Sequence, residues 1–318
     1  MEDRPKIQLK IRKLAEPKAP QDDEESNISF MHGRTIEETY RNKDLREHVY
    51  TSPDTYAGSI DPEEDEQWVM DEEGGRMTMR KLTVREAFYK IFDEVLVNAR
   101  DALVRSGNIK HIDVFCGLKD NTYTISVKND GDGIPIEIHS ETGVYAPELI
   151  FGHLLTSGNY NKEEEKIVGG KNGFGFKLVL IWSEYGKIET IDHTRGLKYV
   201  QEFRDNLNEI CPPKITHVSG STKPYTKVTF KPDYKRLGIQ GLTSDMLSLL
   251  KKRVYDIGAV TDHSIKKIRV GLNNETVPIK NFQQYIDLYI GNKDESKRVY
   301  EQSDERWEYA VAMSPTHE

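Results

Sequence analysis

GGKNGFGFK, Gly169 to Lys177, is the stretch whose reading decides the fold. Glycines let backbone N–H groups turn toward an anion with no side chain in the way, so a run of glycine and lysine suggests a phosphate cradle. Two familiar cradles fail. A P-loop needs lysine directly after its last glycine and then Ser or Thr, but Phe176 separates Gly175 from Lys177 and Leu178 follows. The dinucleotide fingerprint needs a third glycine where Leu178 stands.

Working outward, the 318 residues are 36% hydrophobic and 31% charged, enough apolar material for a core and roughly two domains. No apolar run approaches the ~18 residues of a membrane span, and the N-terminus lacks a signal peptide's apolar stretch, so a soluble chain without a membrane partner is expected. Two cysteines, Cys116 and Cys211, suggest a reducing compartment and no disulfide or zinc framework. The formal charge of −8 argues against a duplex-DNA clamp made by this segment alone.

Residues 1–27 have the Lys, Pro, Asp and Glu-rich composition of a disordered tail or arm, in which KIQLKIRKL reads as an alternating strand, a basic signal or a solvated stretch. Thr35 to Val49 read as a charged helix leading into SPDTYAGS, where Pro53 and Gly58 mark a loop. From Val84 to about Leu103, Phe88, Phe92, Val95 and Ala99 share one helical face, widened by Ile91, Leu96 and Leu103. HIDVFCGL and NTYTISV read as a hairpin turning at Lys119-Asp120-Asn121. The hairpin ends in NDGDGIP. A helix is expected from about Phe176, then further strands including YTKVTF, Tyr225 to Phe230. With no regular strand–helix alternation, the expectation is an α+β sandwich, helices on one face of a mixed sheet. From about Ser264, KKIRVGL and ETVPI around Asn273-Asn274, the helix-like FQQYIDLYI and the strand-like WEYAVAM suggest the start of a second domain cut short at Glu318.

Three pieces carry chemistry. On the helix, Glu94, Asn98 and Asp101 at i, i+4 and i+7 line one face, and a carboxylate one turn from a carboxamide suits Mg²⁺-assisted phosphoryl hydrolysis: the amide oxygen ligates the hard cation and the carboxylate deprotonates a water. In NDGDGIP, Gly131 and Gly133 permit a sharp turn close to a ligand, and Asn129 offers an acceptor and donors suited to an adenine edge. In the glycine-rich stretch, backbone N–H groups at a helix start, with Lys171 and Lys177, offer positive charge to a polyphosphate, and Ser157 and Asn159 of the preceding LLTSGNY add hydrogen bonds. Separately, a wet helix face, a plain turn and a charged surface loop are ordinary readings of each.

Together and in this order, the pieces resemble the ATP-binding (GHKL, or Bergerat) fold shared by gyrase, Hsp90, histidine kinases and MutL. The wording is similar to the ATPase region of eukaryotic-type DNA topoisomerase II, carried by SPDTYAGS, YKIFDEVLVNARD, NDGDGIP, PELIFGHLLTSGNY, GGKNGFGFKL, RVYDIGAV and RWEYAVAMS. The resemblance implies a two-layer α/β sandwich at 61–263, preceded by the tail and by an arm or strap at 28–60. It implies at 264–318 the truncated start of a ribosomal-protein-S5-like transducer domain.

It further implies Glu94 as general base and Asn98 as Mg²⁺ ligand. Asn129 is implied at adenine, Ser157, Gly158 and Asn159 at ribose and phosphate, and Gly170, Lys171, Asn172, Gly173, Phe174, Gly175, Phe176 and Lys177 at the triphosphate. Ile134 and Thr226 fall at the nucleotide, and Tyr40 reaches it in trans from a partner subunit. Implied cofactors are ATP and Mg²⁺; implied partners are a second copy, in an ATP-dependent homodimer, and double-stranded DNA through a longer enzyme whose switch lysine and cleavage tyrosine lie beyond Glu318. The location would be the nucleus, or the replication site or virion of a large DNA virus.

The sequence departs from the family at Gly158, where Ser is usual, Ala102, where Asn is usual, Phe174 for Tyr and Phe176 for Ala. A nucleotide-gated clamp of the MutL or Hsp90 kind is the alternative, disfavoured by the spelling of SPDTYAGS, LLTSGNY and GGKNGFGFK. A histidine kinase is disfavoured because His48 lies on no convincing dimerisation helix.

Overall fold

A computed structural model describes residues 44–153, 175–261, 268–304 and 307–313, all within the unit Lys43–Glu318. In chain order its helices are α1 (Leu45–Thr51), α2 (Pro53–Tyr56), α3 (Glu86–Ser106), α4 (Ala146–Gly152), α5 (Gly175–Ile181), α6 (Ser244–Ala259) and α7 (Phe282–Ile290). The strands are β1 (Glu63–Asp71), β2 (Arg76–Val84), β3 (His111–Lys119), β4 (Thr122–Asn129), β5 (Ser183–Asp192), β6 (Leu197–Arg204), β7 (Glu209–Ile210), β8 (Lys214–His217), β9 (Thr226–Pro232), β10 (Arg269–Leu272), β11 (Glu275–Thr276), β12 (Arg298–Gln302) and β13 (Glu308–Ala312).

The expected amphipathic helix is α3, 21 residues long, with Phe88, Ile91, Phe92, Val95 and Leu96 at most 2% exposed. It ends at Gly107, whose φ of 65° is the left-handed conformation that closes a helix, its N–H donating to the Leu103 carbonyl. Phe92→Ala would cost about 3–5 kcal/mol through lost burial and the cavity left behind.

Beneath α3 lies a nine-stranded sheet in the order β11-β10-β3-β4-β9-β5-β6-β7, with β8 also pairing β6. Its inner face is apolar where strands alternate, with Ile112, Val114 and Cys116 on β3, Ile125 and Val127 on β4, and Val228 and Phe230 on β9 all buried. α3, α5 and α6 pack on this face, making the two-layer α+β sandwich with a mixed sheet that the sequence implied. The β3–β4 turn is as expected: Asp120 and Asn121 both have positive φ, 49° and 60°, the conformation that fits a two-residue hairpin loop.

Three features differ from expectation. Within SPDTYAGS the chain makes the short helix α2 rather than a loop throughout, because Pro53 takes a first-turn position where its missing N–H leaves nothing unpaired; Gly58, φ 95°, then turns the chain out. β1 and β2 form an antiparallel hairpin that the acidic run EEDEQ had masked. Finally, β10 pairs in parallel with β3, from Arg269↔His111 to Leu272↔Val114, so the main sheet runs past the boundary expected near Ser264. Only after β11 does the chain leave this sheet, for α7 and the separate β12–β13 hairpin.

Candidate nucleotide site

Two clusters form between the helix layer and the sheet. The first is on α3. Glu94 is half-buried, its Oε1 2.6 Å from the Lys90 ammonium one turn back. The Asn98 amide nitrogen donates to the Glu94 carbonyl at 2.6 Å, leaving Oδ1 as a hard oxygen acceptor on the same side. Asp101, the third member of the expected face, is 1% exposed and so belongs to the interior.

Gly175, the first residue of α5, packs directly on Glu94: a Cβ built there would overlap Oε2. The expected end of the glycine-rich stretch and the expected base thus meet through space, 81 positions apart. Phe176 is buried with its ring 4.5 Å from that of Phe151, so the bulk that departs from the family is absorbed into the core beside α4. Ala102 packs partly buried against the same core. Lys177 is 2% exposed, and burial pulls its ammonium down to about 8.

The second cluster is built by sheet register. Asn129, Thr226 and Thr190 are direct neighbours across β4, β9 and β5, on the face toward the helices. Thr190 and Thr226 hydroxyls lie 3.1 Å apart, and Thr190 Oγ1 accepts the Ile134 N–H at 3.0 Å. Asn129 Oδ1 accepts from Gly131 N–H at 3.3 Å. Gly133, φ 80°, lies so close to the Ile191 carbonyl that any Cβ would overlap it, which is why the turn needs glycine there. Sequence reasoning found Asn129, Ile134 and Thr226 but missed Thr190; its signal was the alternation of SEYGKIETID, which places Thr190 on the inner face with Gly186 and Ile188.

Two buried or half-buried carboxylates hold the NDGDGIP loop. Asp130 accepts from the backbone N–H groups of Lys110 and His111 at 2.7 and 2.8 Å and pairs with His111 Nδ1 at 2.7 Å. Burial raises its pKa, but the bonds from His111 and Lys110 outweigh this and hold it below the ordinary value. Asp192, 3% exposed, accepts from Ile136 N–H at 3.0 Å and from Thr194 and Arg195, and these bonds likewise outweigh burial and keep it low. Arg195 also pairs with Glu137, tying the far side of the loop to the sheet.

Tyr40, Ser157, Gly158, Asn159, Gly170, Lys171, Asn172, Gly173 and Phe174 lie outside the described residues. Of the expected site, Glu94 meets Gly175 at the α3–α5 contact, with Asn98 one turn on along α3, while Phe176 and Lys177 follow in α5 as buried residues; Asn129, Ile134 and Thr226 gather at the end of the β4–β9–β5 row.

Residues 83–236 match the family described as histidine kinase-, DNA gyrase B- and HSP90-like ATPase. Over 297 residues the chain is 42% identical to DNA topoisomerase 2 of Candida glabrata, covering 88% of this chain but 21% of that protein. It thus spans about a fifth of that relative's length. Among solved structures, the ATPase region of Saccharomyces cerevisiae topoisomerase II superposes with a TM-score of 0.81 at 44% identity, over 87% of this chain and 71% of that one. The ATPase and transducer domains of DNA topoisomerase II from Balamuthia mandrillaris give 0.82 at 41%, over 88% and 70%. At this identity and coverage, with the helix-borne Glu94 and Asn98, the NDGDGIP turn and the glycine-rich stretch all in the family's order, the chain belongs to the type II DNA topoisomerase ATPase regions of the GHKL ATPase family.

Proposed function

We propose that this chain binds and hydrolyses ATP as the N-terminal gate of a type II DNA topoisomerase. The observation that carries this is the contact of Glu94 with Gly175, which sets a carboxylate at the end of the glycine-rich stretch. Lys90 engages Oε1, so Oε2, the oxygen against Gly175, is the atom that takes the proton from the attacking water.

Asn98 Oδ1 fits Mg²⁺, a hard cation that takes one or two protein oxygens and completes its shell with water and phosphate. Bound there, the ion would neutralise charge on the phosphate oxygens. The base would lie over the Asn129–Thr226–Thr190 row, with Asn129 reading the adenine edge and the turn at Ile134 closing one side. Ser157, Gly158 and Asn159 would contact ribose and phosphate, and backbone N–H groups of 170–175 with Lys171 and Lys177 would cradle the triphosphate. The protein's part is positioning and electrostatics, not covalent chemistry.

The wider reading follows the family. ATP closes two copies, Tyr40 of each reaching the other's nucleotide, and the closed gate captures a DNA duplex for passage through a break made by domains outside this chain. The enzyme would work wherever its DNA is, the nucleus or a viral replication site; no helix among the described residues is long and apolar enough to cross a membrane. We place the start of the transducer unit after β11, since that strand still belongs to the ATP-binding sheet.

Glu94→Ala tests the core of the proposal: nucleotide binding persists while hydrolysis disappears, and unchanged turnover would remove Glu94 from its role. For the gate, mass measurement with a non-hydrolysable analogue should give a dimer; a monomer at saturation would count against it.

A further inference from the structure

The face of the sheet turned away from the helices carries a lysine cluster that the nucleotide site does not use. Asn129 and Thr226 point to the helix side, so their neighbours Lys128 and Lys227 point to the other, and the register sets these two directly opposite each other on β4 and β9. Like charges facing across antiparallel strands destabilise a sheet. Asp113 faces Lys128 from β3 and Glu189 faces Lys227 from β5, yet neither lysine closes to an ion pair with a described residue; the Lys128 ammonium lies 5.0 Å from the centre of the Tyr225 ring instead.

More positive charge surrounds them. Lys187 and Lys198 share one carboxylate, Glu189, at 3.2 and 3.9 Å, and Lys119 stands at the end of β3 on the same face. Lys227 has its ammonium lowered first by burial, with Glu189 opposing, and then by Lys119, Lys187 and Lys128. In the adjacent row, Thr229 has a buried hydroxyl with no partner among the described residues. A chain of net charge −8 thus gathers cations on one face, with a single carboxylate flanking the lysine pair on each side, Asp113 on β3 and Glu189 on β5.

We propose that this open sheet face, centred on Lys128 and Lys227, binds the phosphate backbone of duplex DNA. Strands lie about 4.8 Å apart, so lysines on β4, β9 and β5 span about 10 Å across an open sheet face, which suits a line of phosphates better than one enclosed anion. Lysines present point charges without the bidentate geometry that reads bases, so the contact is independent of sequence. An anionic membrane is the weaker fit: surface attachment needs apolar side chains to insert, and the most exposed large ones, Met313, Val299 and Trp307, lie on and beside β12 and β13 instead. The choice of duplex DNA as the polyanion rests on the proposed function; the surface itself does not involve the nucleotide.

The test is fluorescence anisotropy of a short labelled duplex with this chain, without nucleotide, across a salt series, beside the Lys128→Gln/Lys227→Gln variant. The wild type should bind with affinity falling linearly in log salt, and the variant about tenfold or more weaker with a slope shallower by about 2. The variant removes the repulsion between the two lysines together with their facing to Asp113 and Glu189, so a thermal midpoint within a few degrees of the wild type separates lost binding from lost fold. Equal affinities, or no duplex binding by the wild type, would overturn the proposal. So would binding to phosphatidylserine vesicles without binding to DNA, which would assign the face to membrane. ATP hydrolysis by the same wild-type preparation tells the two readings apart: hydrolysis without DNA binding removes the face and leaves the gate.

Discussion

Oε2 of Glu94 rests against the backbone of Gly175, close enough that no side chain fits between them. Gly175 opens α5 and its φ is not in the left-handed region, so alanine there is tolerated by the backbone. Gly175→Ala should therefore leave the thermal midpoint nearly unchanged while displacing the carboxylate and lowering the hydrolysis rate about 10- to 100-fold. Steady-state hydrolysis beside thermal unfolding checks this; full activity in the variant would mean the contact has no catalytic consequence.

Thr190 is fully buried and accepts the Ile134 N–H. Thr190→Val keeps the shape and removes the acceptor, stranding that N–H and the Thr226 hydroxyl. Denaturant unfolding should show a loss of about 1–3 kcal/mol, and titration calorimetry a weaker ATP analogue complex. Thr190→Ser should restore most of both.

Asp192 is held below its ordinary pKa by donors from Ile136, Thr194 and Arg195, which outweigh burial. A carboxylate with a depressed folded pKa contributes stability that is complete above its unfolded value, about 4, and is lost as pH falls through the folded value. The wild type should lose stability below about pH 4, and Asp192→Asn should be less stable at pH 7 with a flatter acid limb. Parallel pH curves for the two proteins would show that Asp192 carries none of this dependence.

Lys177 gives the opposite sign. Its folded value of about 8 lies below its unfolded 10.5, so the nucleotide-free chain should gain stability as pH rises through that interval. A triphosphate beside the ammonium would favour its charged form. Nucleotide binding near pH 9 should then take up close to one proton, and affinity should fall as pH rises above about 8. Calorimetry in two buffers of different ionisation enthalpy measures the uptake, and Lys177→Met should abolish it.

Local features were legible in the sequence and long-range pairings were not. The spacing of Phe88, Phe92, Val95 and Ala99 gave α3, and Asp120-Asn121 gave its hairpin, because helix periodicity and turn conformation are written within a few residues. Glu94 and Asn98 followed from the helix. Thr190 did not, since its place beside Thr226 and Asn129 depends on the register of three strands distant in sequence. Nor did the parallel pairing of Arg269–Leu272 with β3, which joins residues over 150 positions apart and leaves no local mark. Asp101 misled because a charged residue at helical spacing reads as wet, whereas here it is interior.

That parallel pairing constrains how the chain may be shortened. β10 occupies the hydrogen-bonding groups on one side of β3, from His111 to Val114. Ending the chain at 263 would strip that partner and expose a bare strand edge ready to pair with another molecule, so such a fragment should self-associate where one extended through Thr276 stays monodisperse.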